Sequence, residues 1–190
     1  MKNALILHGI GNKSNDNWFP WLRKELEKKD YEVWSPDLPQ MEKPNLESIY
    51  NFVKSFSFSS ETVLIGHSSG AALALGILQK LPPKIVIKKT ILVAGFTDSN
   101  LKPELFKYVS KSDYIYHFPK KWDWVKIRKS SKEFIIFDSP SDPYVQASYG
   151  KFLNEKLLGE LITVLNAGHF SISTKGKRFK EFPELLKYIK

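Results

Sequence analysis

Short apolar runs alternate with longer amphipathic stretches along this 190-residue chain, and this alternation limits the folds that the chain can adopt. The runs are almost continuously apolar, which is typical of strands buried on both faces of a parallel sheet. We predict six strands, over Ala4–Leu7, Tyr31–Trp34, Thr62–Ile65, Thr90–Val93, Glu133–Phe137 and Leu161–Leu165. The intervening stretches predict helices over Trp18–Lys29, Leu46–Phe56, Ser69–Leu81, Pro143–Leu158 and Arg178–Ile189, with Pro183 able to shift the start of the last one. This alternation predicts an α/β fold, in which helices cover both faces of a parallel sheet.

The composition fits one globular domain over residues 1–190. Hydrophobic residues make up 42% and charged residues 26% of the chain, which excludes a disordered polypeptide. Because the chain has no cysteine, it excludes disulfides, thiolate metal sites and a cysteine nucleophile. No apolar run approaches the roughly 18 residues that cross a bilayer, and Ala4–Leu7 is too short for a signal peptide. These features predict a soluble, cytoplasmic protein without a membrane span.

The link between the fourth and fifth predicted strands is the longest, at about forty residues, and links of that length are commonly functional. We predict a lid-like segment over about 102–132, with helical pieces over Pro103–Val109 and Asp123–Arg128. Nine basic and three acidic residues give this segment a net charge of +6, within a chain of +9. Its lysines can face the substrate pocket and attract anionic substrates, or face bulk water while its aromatic residues pack on the sheet. The sequence leaves both arrangements open.

The most specific motif is Gly66-His67-Ser68-Ser69-Gly70, which follows the third predicted strand and opens the third predicted helix. A Gly-x-Ser-x-Gly sequence between a strand and a helix is typical of a nucleophile elbow. The turn is too tight for side chains at its two outer positions, and it holds the central hydroxyl above the edge of the sheet. Ser68 is therefore the predicted nucleophile. The alternative is a glycine-rich turn without a catalytic role.

A serine hydroxyl becomes a nucleophile when a base takes its proton and an acid orients that base. His169 follows the last predicted strand, at the carboxyl edge of the sheet where the elbow also lies, and it is the predicted base. We expect His8 and His67 to be structural, and His117 falls in the lid-like segment.

Two aspartates near the fifth predicted strand are candidates for the acid. Asp138 ends that strand, and Asp142 precedes Pro143 in the following loop. A helix N-cap is the ordinary explanation of an aspartate at the position of Asp142. A loop residue can reach across to His169, however, so Asp142 is the predicted acid and Asp138 the alternative.

The loop after the first predicted strand, His8-Gly9-Ile10-Gly11, is placed to complete an oxyanion hole with the main-chain N–H of Ser69. The N–H of Ile10 is the preferred second donor, and that of Gly9 comes next. One such donor typically stabilises the transition state by about 2.7–4 kcal/mol.

Together, the elbow, the His8-Gly9 turn, the Asp142-Pro143-Tyr144-Val145 turn and the Gly168-His169-Phe170 loop resemble the α/β-hydrolase superfamily. The order of the triad residues along the chain, serine then aspartate then histidine, is also that of the superfamily. Two tryptophan-rich pieces, over 17–22 and 122–124, resemble the small serine hydrolases grouped with retinoblastoma-binding protein nine. The resemblance covers essentially the whole chain.

This resemblance implies a sheet of order 2-1-3-4-5-6 and a Ser-His-Asp hydrolase that cleaves small-molecule ester-type substrates, with no cofactor and no metal. In that family, binding to the retinoblastoma protein is associated with a Leu-x-Cys-x-Glu motif. This chain has no cysteine, so that partner is not expected.

Two functions of other classes compete with hydrolysis. A Rossmann-like nucleotide-binding protein is suggested by Gly9-Ile10-Gly11 and by Asp37 after the second predicted strand, although the third glycine of the fingerprint is missing. A non-catalytic protein- or nucleic-acid-binding module on a hydrolase scaffold is suggested by the basic segment with Trp122 and Trp124, because interleaved charge and aromatic rings bind nucleic acid. Nucleic acid is the less expected partner, since the tryptophans can equally pack inside the protein.

Overall fold

The fold is a single parallel sheet with helices on both faces. The computed structural model describes residues 1–39, 45–107, 110 and 118–189. The strands are β1 (Asn3–Leu7), β2 (Glu32–Trp34), β3 (Thr62–His67), β4 (Ile87–Val93), β5 (Ser131–Asp138) and β6 (Glu160–Thr163). They pair in the order β2-β1-β3-β4-β5-β6, and every pairing is parallel. The predicted fold class and strand order are confirmed.

The helices follow the strands along the chain. They are α1 (Phe19–Glu27), α2 (Leu46–Val53), α3 (Ser69–Lys80), α4 (Trp124–Lys129), α5 (Ser148–Leu157), α6 (Ile172–Lys175) and α7 (Pro183–Leu186). In the part of the chain that the structure describes, short 3₁₀ helices span Pro103–Lys107 and Gly176–Lys180. Among the described residues, no helix is both long enough and apolar enough to cross a membrane.

Successive side chains of each strand point to opposite faces of the sheet, so the sheet divides the core into two layers. In β1, Leu5 and Leu7 pack in the layer covered by α2, α3 and α5. Ala4 and Ile6 pack in the opposite layer, which α1 and α7 cover. Because all strands run the same way, the loops that follow β1, β3, β5 and β6 meet at one edge of the sheet.

Two predicted helices start late or break in the structure. The predicted helix over Pro143–Leu158 begins only at Ser148, because the Asp142 carboxylate holds the next main-chain N–H groups in a turn. The predicted helix over Arg178–Ile189 is broken before Pro183, where Glu181 and Phe182 have non-helical backbone angles. Proline cannot donate the hydrogen bond that a continuous helix needs, so the chain restarts as α7.

The link between β4 and β5 contains the 3₁₀ helix Pro103–Lys107 and α4, near the two helical pieces predicted there. Val109 and His117, which the sequence analysis named in this link, lie outside the described residues. A lid over the pocket stays a prediction.

Candidate active site

Ser68 lies in the turn between β3 and α3, with a backbone conformation that residues other than glycine rarely adopt (φ 57°, ψ −125°). Strained residues of this kind cluster at functional sites. A Cβ atom on Gly66 would lie 2.4 Å from the carbonyl oxygen of Gly70, and one on Gly70 would lie 2.3 Å from that of Leu7. Glycine is therefore required on both sides of Ser68, and the turn has the geometry of a nucleophile elbow.

The Ser68 side chain is the most accessible of the turn. His67 and Ser69 on either side are fully buried, whereas Ser68 is partly exposed. Gly9, in the loop after β1, lies directly beside it: a Cβ on Gly9 would be 2.9 Å from Ser68 Cβ and 3.3 Å from Ser68 Oγ. The missing side chain at Gly9 leaves space next to the hydroxyl.

His169 and Asp142 form a buried hydrogen-bonded pair at the same edge of the sheet. His169 Nδ1 lies 2.7 Å from Asp142 Oδ2, and the two residues are 7% and 2% exposed. The other carboxylate oxygen, Oδ1, accepts the main-chain N–H groups of Tyr144 (2.8 Å) and Val145 (3.0 Å). Asp142 is thus both the cap of its own loop and the partner of His169, and its carboxylate places the imidazole proton on Nδ1, which leaves Nε2 free to accept a proton.

Asp138, the alternative acid, lies elsewhere in the site. Its carboxylate contacts Gly150 of α5, where a Cβ would come within 2.4 Å of Asp138 Oδ2. Burial raises the pKa of the Asp138 carboxyl, and this effect outweighs a hydrogen bond from Thr163 that lowers it. Of the two aspartates, Asp142 is the one hydrogen-bonded to His169. Among the described residues the Ser68 side chain forms no hydrogen bond, so its link to His169 belongs to the proposal below.

The predicted second oxyanion donor already has a partner in this conformation. The main-chain N–H of Ile10 donates to Ser69 Oγ at 2.8 Å. Ser69 begins α3, where main-chain N–H groups have no acceptor within the helix. Oxyanion binding by Ile10 therefore requires its N–H to exchange the Ser69 hydroxyl for the substrate oxygen.

Comparison with known proteins places the chain in a family. Residues 4–190 match the family model described as serine hydrolase. The chain belongs to the serine hydrolase family. It is 27% identical to YdeN of Bacillus subtilis over 171 residues, which cover 89% of this chain and 86% of that protein. It is 28% identical to the serine hydrolase RBBP9 of Rattus norvegicus over 186 residues, or 96% and 90% of the two chains. The crystal structure of YdeN superposes with a TM-score of 0.86 at 26% identity, over 98% of this chain and 96% of that one.

In this hydrolase, side chains from several elements hold the main chain on both sides of His169. The N–H groups of residues 167, 168 and 169 donate to Ser139 Oγ (3.2 Å), Ser141 Oγ (3.0 Å) and Thr174 Oγ1 (3.0 Å). The carbonyl oxygen of Phe170 accepts from Trp18 Nε1 at 3.0 Å. No motif that can be recognised in the sequence assigns these residues this supporting role. The serines flanking Pro140 were the only local signal, because serine side chains commonly bond nearby main-chain groups.

The two histidines expected to be structural are buried in the hydrolase. His67 donates from Nε2 to the carbonyl oxygen of His169 (2.8 Å), and its ring lies 5.0 Å from that of His169. Burial, reinforced by the nearby charge of His169, lowers the pKa of His67 to about 3. His8 Nε2 accepts the N–H of Leu38 at 2.9 Å, and burial lowers its pKa as well.

The described end of the lid-like segment is anchored to α3 of the hydrolase. Gln79 accepts from the N–H of Asp123 (2.7 Å) and donates to the carbonyl oxygen of Lys121 (3.2 Å). Gln79 lies ten residues beyond Ser69 along α3, about 15 Å away at 1.5 Å per residue. The adjacent Trp122 and Trp124 rings stack at 5.6 Å, and Trp124 packs edge-on against a phenylalanine of α5. These tryptophans are half-buried and pack against the edge of the core.

The described residues of the hydrolase give little support to a metal site or a nucleotide site. Within residues 1–39, 45–107, 110 and 118–189, no cluster of three or more His, Asp or Glu side chains is arranged to hold a metal ion. Asp37, the ribose-binding candidate of a nucleotide site, accepts the main-chain N–H of Ser14 at 2.7 Å and so shapes the loop after β1.

Proposed function

We propose that this serine hydrolase cleaves ester-type bonds (esters, thioesters or amides) of small molecules through a Ser68-His169-Asp142 triad, with carboxylesterase-type activity. The observation that carries the proposal is the buried 2.7 Å pair of His169 and Asp142, at the same sheet edge as the strained, accessible Ser68. A base oriented by a buried acid, next to a serine on a strained turn, is the arrangement that activates a hydroxyl for acyl transfer.

In the first half-reaction, Ser68 Oγ attacks the substrate carbonyl carbon while His169 Nε2 takes the hydroxyl proton. The carbonyl π electrons move to oxygen, and the main-chain N–H groups of Ser69 and Ile10 bind the resulting oxyanion. Collapse of this tetrahedral intermediate expels the alcohol, thiol or amine, which receives the proton from His169. The product is an acyl-enzyme on Ser68.

In the second half-reaction, His169 takes a proton from water as the water attacks the acyl carbonyl. Asp142 stabilises the imidazolium and holds the ring orientation throughout both halves. The acid product then leaves, and the proton returns to Ser68. No step requires a metal ion or a redox cofactor.

A cleft of about 580 Å³ lies between the loop after β1, the start of α1 and the residues that follow His169. Ser68, His169 and Asp142 are not among the residues that line it, so we assign it to a part of the substrate away from the reacting bond. Asn12, Asn17, Trp21 and Ile172 are among the residues that line it. This mixture of amides and apolar side chains suits a small molecule with both polar and apolar parts.

The deciding experiment is covalent labelling with a fluorophosphonate, which reacts with activated serines. We expect the wild-type chain to be labelled at Ser68, as located by peptide mass spectrometry, and to hydrolyse short-chain p-nitrophenyl esters. Ser68→Ala should lose both properties, while Ser60→Ala, at an exposed turn serine, should keep them. A folded wild-type chain that is neither labelled nor active would favour the non-catalytic binding module instead.

A further inference from the structure

Each polar group of Asp142, in the main chain and in the side chain, forms a hydrogen bond. The main-chain N–H of Asp142 donates to Ser139, and its carboxylate is bonded to His169 and to two N–H groups of its own loop. The remaining polar group, the carbonyl oxygen of Asp142, accepts a hydrogen bond from Lys102 Nζ at 2.5 Å. Lys102 comes from the segment after β4, outside the Asp142 loop and the His169 loop.

Lys102 holds the Asp142 loop at two points. Besides the contact of its ammonium group, its main-chain N–H donates to the carbonyl oxygen of Tyr144 at 2.9 Å. The neighbouring Leu101 is buried in a small apolar cluster with Val145 of the same loop. Hydrogen bonds from a charged donor are shorter and stronger than neutral ones, so the ammonium contact restrains this loop more than an ordinary loop contact would.

The restraint extends from the acid to the base. Ser139 and Ser141, in the loop that Lys102 holds, accept the main-chain N–H groups of Ala167 and Gly168 just before His169. A displacement of the Asp142 loop therefore displaces both partners of the His169–Asp142 pair.

We propose that Lys102 is a positioning residue, which fixes the Asp142 loop and couples the start of the lid-like segment to the catalytic acid. This inference rests on the proposed function, because it assigns Lys102 a role through the triad. Lys102 belongs to the basic stretch whose lysines could otherwise be read as a positive rim for anionic substrates. Its ammonium group donates instead to a carbonyl oxygen inside the fold.

The first test compares three variants with a neutral p-nitrophenyl ester. Lys102→Met removes the ammonium group and keeps the length of the side chain. We expect kcat to fall about tenfold while KM stays within about twofold, since misplacing a catalytic group costs turnover rather than ground-state binding. Lys102→Arg should retain most of the activity. Lys107→Met, at an exposed lysine in the 3₁₀ helix that follows Lys102, should behave as wild type. An unchanged kcat, or a loss confined to KM, would overturn the proposal.

A double-mutant cycle tests whether Lys102 acts through Asp142. In the Asp142→Asn background, Lys102→Met should lower kcat by less than twofold, because the side chain that it positions no longer orients the base. A full tenfold loss in that background would show that Lys102 acts elsewhere, and would contradict the proposal.

Proton NMR gives a readout that does not depend on turnover. The Nδ1 proton of His169, bonded to Asp142, should give a low-field resonance that Lys102→Met shifts or broadens and Lys107→Met does not. If the wild type is inactive but its resonance responds in this way, the proposed function is wrong and the coupling between Lys102 and the His169–Asp142 pair stands. If the wild type is active but Lys102→Met changes neither the resonance nor kcat, the coupling is wrong and the proposed function stands.

Discussion

The buried imidazole of His67 donates from Nε2 to the main-chain carbonyl oxygen of His169, at 2.8 Å. A carbonyl oxygen only accepts, so this contact fixes the proton of the neutral His67 ring on Nε2. Protonation of the second ring nitrogen, Nδ1, would place a charge in the apolar layer between Trp18 and Phe19, whose rings contact His67. Nε2 keeps its proton in the charged ring as well, so burial rather than this contact keeps the residue beside the candidate nucleophile neutral.

The burial of His67 predicts an acid-sensitive fold. The pKa of His67 is about 3 in the folded chain and near 6.5 in the unfolded chain, so the unfolded state binds more protons between these values. The free energy of unfolding should therefore fall as the pH falls through this window, with about 2 kcal/mol from His67 between pH 7 and pH 5. Burial of His8 acts in the same direction.

His67→Gln retains a side-chain N–H donor and removes the titration. Urea unfolding at pH 7, 6 and 5 should show a weaker pH dependence for this variant than for the wild type. Parallel curves for the two proteins would mean that His67 does not titrate on unfolding.

The aspartate that ends β5 and the one in the following loop should differ in their effect on kcat when each is replaced by asparagine. Asp142→Asn keeps the shape of the loop and removes the charge that orients His169, so kcat should fall by roughly 10³–10⁴-fold. Asp138→Asn should change kcat by less than about threefold, because Asp138 contacts Gly150 and Thr163 rather than His169. Steady-state kinetics with thermal unfolding as a folding control checks both, and the opposite ranking would make Asp138 the acid.

Ser69→Ala tests whether the Ile10 N–H can leave its present partner. The variant loses the partly buried hydrogen bond from Ile10, so the free energy of unfolding should fall by about 1 kcal/mol. Both proposed oxyanion donors are main-chain groups and remain, so kcat should stay within about tenfold of wild type. A loss of several hundredfold, with Ser68 still in a folded chain, would show that the Ser69 hydroxyl itself is needed in the transition state.

The exposed Lys120 and Lys121 should have little influence on substrate charge preference. The adjoining chain is anchored at Gln79, about 15 Å along α3 from Ser69, and charges are largely screened beyond about 8–10 Å at physiological salt. For Lys120→Glu/Lys121→Glu, the kcat/KM ratio of a carboxylate-bearing to a neutral ester should stay within about twofold of wild type.

The matched control is Lys29→Glu/Lys84→Glu, which makes the same change in charge at the amino edge of the sheet. A ratio that drops only in the Lys120/Lys121 variant, and recovers in high salt, would show that these lysines face the pocket.

Local sequence signals predicted the elbow and the strands well. Gly66 and Gly70 indicate the turn because no other residue fits there. Continuous apolar runs indicate buried strands, since this pattern can be recognised without knowing which strands lie next to each other. The same reasoning failed at Pro143, which suits the first turn of a helix but here lies in a turn capped by Asp142.

Contacts between distant parts of the chain were beyond sequence reasoning. Lys102 and Asp142 are 40 residues apart, and His67 and His169 are 102 apart. No periodicity links such positions, since each contact exists only after the parallel strands bring their loops to one edge. The strand order itself came from the resemblance to a known superfamily rather than from pattern.

The sheet ends on each side in its two shortest strands, with three residues in β2 and four in β6. A strand edge recruits another chain through its row of unpaired main-chain groups, and the strength of that attraction grows with the length of the row. Such short borders, each beginning with a glutamate, are poor templates for cross-molecular strand addition and for fibril growth. If two copies of this protein associate, the contact should therefore use helix or loop surfaces, and the sheet should keep six strands per molecule.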